Sequence, residues 1–125
     1  MPRQSATFSP NGGPLSVVVE NGHANQGQYD LTLLENNEID VAHRFPRAEF
    51  KTPADNTHVL PGPNSKHKNR VLDCVAAIGV LDPGKAFAVT MTLRQDGAEV
   101  GRVEAKDTAS GVAHTVELIL ELHGT

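Results

Sequence analysis

Apolar and polar residues alternate with a period of two along several short runs of this chain, and Gly, Pro, Asn and Asp punctuate the gaps between them. That period sends every second side chain to one face, which suits half-buried strands rather than helices. It predicts strands over 15–20, 28–35, 38–45, 71–81, 86–94, 98–105 and 113–122, with a short edge piece near 6–8. The last run alternates most cleanly. His114, Val116, Leu118, Leu120 and Leu122 fall on one face, and Thr115, Glu117, Ile119, Glu121 and His123 on the other. The run 71–81 is apolar on both faces, as a strand in the middle of a sandwich would be, although Ala76 and Ala77 keep a buried helix as an alternative.

Turn residues sharpen the picture into two hairpins. A three-residue loop over 36–38 pairs Leu33 with Val41, Leu31 with His43 and Tyr29 with Phe45, which makes one coherent inner face. A three-residue loop over 95–97 places Gly97 where φ must be positive and pairs Val89 with Val103 and Phe87 with Ala105. Asp82-Pro83-Gly84 predicts a further turn. The expected fold is all-β: a single-domain antiparallel β-sandwich over 1–125, with roughly seven or eight strands and immunoglobulin-like or related topology. Residues 1–14 are expected as an extended N-terminal arm. Residues 46–70 carry almost no strand pattern beyond a piece around 58–60 and predict one long basic loop, the kind of connection that is usually functional or mobile.

Composition changes this picture only in part. A chain of 125 residues, 38% hydrophobic and 21% charged, is long enough for one real core and fits a soluble domain. Nothing approaches the roughly 20 apolar residues of a membrane helix. The N-terminal stretch lacks the apolar core of a secretory signal, so the expected setting is the cytoplasm or an assembled particle. The single Cys74 sits in an apolar run, where a small buried hydrophobe is expected rather than a nucleophile.

Charge is more informative. The formal net charge is −4, yet residues 43–70 hold six of the eleven Lys and Arg against two acids, so that window is +4 and the remainder −8. Six histidines add a second lever, since protonating all of them would turn the net charge to +2. A basic segment on an acidic domain has the field to steer an anionic partner or to dock head to tail on a second copy. The residues expected to carry that contact are Arg44, Arg47, Lys51, Lys66, His67, Lys68 and Arg70.

Two other functions follow from other residues. Amide-rich loops over 20–28 and 55–69 suggest a lectin-like carbohydrate site built from Asn21, His23, Asn25, Asp55, Asn56 and Asn64, although the chain offers only one Tyr and four Phe as a stacking platform. Asp55, His58 and His67 carry donor atoms for a metal-dependent enzyme, but the spacing D-x2-H-x8-H corresponds to no fixed coordination geometry. No nucleophile elbow and no phosphate loop is present. Glu117 and Glu121 lie four residues apart, roughly 13 Å along a strand, too far to work as a pair. The cluster Lys66 to Arg70 could meet phosphates, but a net acidic, aromatic-poor domain is not built for nucleic acid. The sequence thus predicts a non-catalytic interaction or assembly module, without cofactor, whose basic loop docks a protein partner or another copy of the chain.

Overall fold

The computed structural model describes residues 2–21, 26–50, 55–79, 86–108 and 113–125. Within them run the strands β1 (Arg3–Phe8), β2 (Leu15–Asn21), β3 (Gln26–Leu34), β4 (Val41–Arg44), β5 (Ala48–Glu49), β6 (Asp55–Val59), β7 (Val71–Gly79), β8 (Ala86–Gln95), β9 (Ala98–Thr108) and β10 (Ala113–Gly124). A 3₁₀ turn, η1 (Asn64–His67), separates β6 from β7. Sheet A has the order β1-β10-β7-β3-β4, with β5 also on β3, and sheet B the order β6-β2-β8-β9. All pairings are antiparallel except β1 with β10. The fold is all-β and sandwich-like. No helix among the described residues is long and apolar enough to cross a membrane.

Register explains the core. Across sheet A, Leu120 faces Leu72 and then Leu33, Leu118 faces Cys74 and then Leu31, and Val116 faces Ala76 and then Tyr29. Across sheet B, Val19 faces Met91 and then Val103. These rows interleave as one buried cluster, and each fully buried Leu contributes about 1.5–3 kcal/mol relative to exposure. The strand β7 is central, as expected, but its outer face is covered only at the start, where Val71 is buried and Asp73 half-buried; Val75 and Ala77 farther along that face are exposed. The parallel strand β1 takes up much of the expected N-terminal arm, burying Ala6 and Phe8 against β10 and β9. Gly101 of β9 makes that docking close, because a Cβ there would stand 2.2 Å from Ala6 Cβ.

Both predicted hairpin registers need correction by two residues. In the first, Leu33 faces His43 and Thr32 faces Arg44, with a shift between Leu33 and Leu34 that leaves Leu34 opposite Val41. The connection is longer than expected because Asn37 Oδ1 accepts from the amides of Ile39 and Asp40, and Glu38 takes a φ of 61°. Such side-chain to backbone bonds offer the chain a turn in place of a ladder. Val41 is therefore exposed, while Phe45 keeps its inner position. In the second, Asp96 and Gly97 both have positive φ, 53° and 79°, so the loop is a two-residue turn of the primed type. A shift at Leu93/Arg94 then places Val89 opposite Ala105 and Phe87 opposite Asp107. Both errors are even in number, so the inward faces are the expected ones except at Val41, which the irregularity beside Leu34 turns outward.

Residues 46–70 are not one loop. They contain β5, β6 and η1, and β6 forms the edge of sheet B with a clear ladder from Ser16–Val59 to Glu20–Asp55. The sequence D-N-T-H-V hides this strand because, of its inward residues Asn56 and His58 and the following Leu60, only Leu60 is apolar. The expected turn at 82–84 lies outside the described residues.

Candidate functional site

The basic residues of 44–70 do not form one patch. Arg47 is paired with Asp30, Nε to Oδ1 at 3.0 Å, and Arg70 with Glu35, Nε to Oε1 at 2.6 Å. His67 is fully buried beneath η1, where its Nδ1 accepts from Arg70 Nη1 at 3.2 Å. Burial and then the Arg70 charge hold its imidazole below the ordinary range, with the Pro61 backbone opposing. His67 and Arg70 thus anchor the turn rather than present it. Arg44 is exposed on the edge strand β4, and Lys51 lies outside the described residues.

That leaves Lys66 and Lys68 at the surface of a well-held turn. Lys66 N donates to Pro63 O and Arg70 N to His67 O, while Asn69 N donates to Leu122 O and Leu122 N to Arg70 O. The Lys68 stem lies across Gly124 at the end of β10, where a Cβ would meet it at 2.6 Å. Among the described residues neither ammonium group has a salt-bridge partner within 4.0 Å, and the same holds for Arg44. A lysine that buries its stem and keeps its head in water is a rigidly placed charge.

Residues of the two alternative sites are occupied elsewhere. Asn56 Nδ2 donates to Glu49 O, tying β6 to β5, and Asn64 Nδ2 donates to the carbonyls of Gly12 and Gly13. Asn21 is buried at the end of β2, whereas His23, Asn25 and the Asp55 side chain fall outside what the structure describes. Tyr29 and all four Phe are buried, so no aromatic platform faces outward. His58 lies 2.6 Å from Tyr29 Oη through its Nε2, and its ring stands edge-on to Phe45 at 5.4 Å. Burial holds His58 below its ordinary range, so the neutral ring can accept the phenol proton. With Phe50 at 5.0 Å from Tyr29 and His43 at 4.6 Å from Phe45, these rings close the seam between the β4 and β6 edges. Among the described residues no three His, Cys, Asp or Glu side chains are grouped to hold a metal ion.

Two features escape a reading of the sequence. The first is a carboxyl pair on the outer face of sheet A, where Asp73 of β7, its Oδ1 buried without a partner, lies beside Glu117 of β10. Burial, then the hydrogen bond and charge of Glu117, and last the charge of Glu38 push Asp73 up to about 7. Glu38 stands close because Arg3 bridges it to Glu121, with contacts of 2.7 Å and 2.6 Å. The partner of Glu117 is not Glu121 on its own strand but a residue 44 positions away, brought alongside by the β7–β10 register. The second is a polar trough of about 330 Å³ on the outer face of sheet B. Cys74, by contrast, is buried, and desolvation followed by the charges of Asp73 and Asp30 pushes its thiol up to about 12.

Comparison with protein-family models, with curated proteins and with solved structures finds no match for this chain.

Proposed function

We propose that this chain is a non-catalytic interaction and assembly module, and that Lys66 in η1 and Lys68 just after it dock an acidic surface of a second copy. The single observation that carries the reading is the placement of these two ammonium groups: exposed, held on a rigid turn, and without an ion-pair partner among the described residues. The favoured acceptor is the Asp73–Glu117 pair. Two like-charged carboxyls in contact are relieved by an arriving cation. Gly124 and Glu117 are seven residues apart on β10, roughly 23 Å at the rise of an extended strand, so the lysines of one molecule cannot neutralise its own pair. The contact is therefore made between copies, and in its head-to-tail form it builds rings or filaments.

The non-catalytic part rests on the burial of the one thiol, which at neutral pH is almost wholly protonated. The finer architectural reading, immunoglobulin-like or related topology, is supported by two antiparallel-rich sheets, with β2 in sheet B and β3 in sheet A. Entry of β7 into sheet A before β8 and β9 build sheet B departs from the constant-type strand order, which favours a related topology.

The test is the native mass at about 20 mM and about 500 mM salt, conditions in which exposed charges are weakly and strongly screened. The parent chain is expected to associate at low salt and dissociate at high salt, while the Lys66→Glu/Lys68→Glu variant stays monomeric throughout. Arg70 is left intact, because its bonds to Glu35 and His67 are structural. A parent chain that is monomeric at every concentration and salt removes self-assembly.

A further inference from the structure

The outer face of sheet B holds a site of a different kind. Register stacks three rows across it: Val59–Ser16–Arg94–Glu99, Thr57–Val18–Thr92–Arg102 and Asp55–Glu20–Thr90–Glu104. Val18 and Thr92 at the centre of the middle row are short, and the longer Glu20, Arg94 and Arg102 stand around them, so the floor sinks at the centre. Thr92 shows the effect most plainly. It points away from the core, yet is only 2% exposed, and its hydroxyl is buried without a hydrogen-bond partner. An unsatisfied buried hydroxyl is a standing cost that a ligand group could remove.

The donors around it are of two types. Arg94 and Arg102 stand on neighbouring strands one row apart, close enough for both guanidinium groups to reach one small anion. Each is steadied without being used up: Arg94 Nη2 donates to Gly97 O at 2.8 Å, and Arg102 Nη2 lies 3.1 Å from Glu99 Oε1. A guanidinium carries five N–H donors, so most of each fork remains for a carboxylate. Ser16, Thr57 and Thr92 add hydroxyls, Glu20 adds a carboxylate able to accept from ligand hydroxyls, and Val18 supplies an apolar floor.

From this arrangement we infer that the trough binds an acidic saccharide, with the carboxylate of a uronic acid unit held by Arg94 and Arg102 and its ring hydroxyls by Thr92, Ser16 and Glu20. The hydroxyls of Ser16, Thr57 and Thr92 beside the two guanidinium groups favour a ligand that brings ring hydroxyls with its charge over a bare polycarboxylate. With every aromatic ring of the chain buried, recognition is polar and depends on the arginines. Glu20 and Thr57 lie at the edges of the loops in which a carbohydrate site was expected, but Ser16, Thr92, Arg94 and Arg102 belong neither to those loops nor to the η1 docking surface.

Calorimetric titration with oligogalacturonate, with its neutral counterpart oligogalactose and with inorganic phosphate tests the assignment. Binding of oligogalacturonate alone is expected, weakened about tenfold or more in Arg94→Gln and in Arg102→Gln, in line with loss of a charge-assisted pair. Thr92→Val is the discriminating variant. It should weaken the acidic saccharide several-fold while melting no lower than the parent, since a partnerless hydroxyl is exchanged for a methyl. No binding of oligogalacturonate, equal binding of the neutral sugar, equal binding of phosphate, or affinity indifferent to both arginines overturns the proposal.

Discussion

Asp73 illustrates how a single register position decides a residue's chemistry. In the sequence it is one acid inside an apolar run; in the sheet it meets Glu117 and rises to about 7. An unfolded aspartate titrates near 4. The folded protein therefore holds an extra proton between about pH 4 and about pH 7, and stability falls as pH rises through that window. Asp73→Asn keeps the shape and removes the charge. Urea melts are expected to show it more stable than the parent by about 1–2 kcal/mol at pH 8 and equal near pH 4, whereas equal stability at both would mean that the pair carries no penalty. Tyr29 provides the opposite case, a buried polar pair that is satisfied. Tyr29→Phe leaves the half-buried His58 nitrogen without its 2.6 Å partner and should cost about 1 kcal/mol in the same melts.

At the scale of elements, the strand most dependent on one distant residue is β1. It runs parallel to β10 and sits over Gly101 of β9, where no side chain fits beneath Ala6. Gly101→Ala should therefore prise β1 from the sandwich. Hydrogen exchange is expected to show amides of β1 losing protection while β7 and β8 keep theirs, and a uniform loss across all strands would refute a local role. The two hairpins carry a different lesson. Asp96-Gly97 is a sequence signal for a two-residue primed turn, and reading it as a three-residue loop displaced the ladder. The other loop was less legible, because the bonds made by Asn37 appear only once the chain has turned. Strand β6 was hidden for a related reason: an edge strand with a single row of inward residues has little hydrophobic pattern to display.

For the whole molecule the titrations act together. His58 and His67 are both held low by burial, so the unfolded chain takes up protons first as pH falls below about 6.5 and stability drops on the acid side. The proton on Asp73 acts in the opposite sense over an overlapping range. The parent should therefore show a shallow dependence of stability on pH, and Asp73→Asn a steeper acid limb; parallel profiles would refute the cancellation. Charge is likewise a property of the assembled surface. If head-to-tail docking operates, a Glu117→Lys chain should also fail to associate with itself yet co-assemble with the Lys66→Glu/Lys68→Glu chain, read as mixed species by native mass. Failure of the mixture to associate would separate the lysines from the carboxyl pair.

What the sequence determined by itself is the part governed by local period and composition: all-β architecture, the identity of most strands, the inward face of each, and a core that includes Cys74. Period-two patterning survives an even error in register, so these conclusions hold although both hairpin pairings were displaced. Only the tertiary structure decided which charges meet. It spent Arg47, Arg70 and His67 on internal contacts, left Lys66 and Lys68 exposed, joined Asp73 to Glu117, and sank Thr92 between Arg94 and Arg102. The physical reason is that a charge acts on whatever lies within a few ångströms, and in a sandwich those neighbours come from strands far apart in the chain.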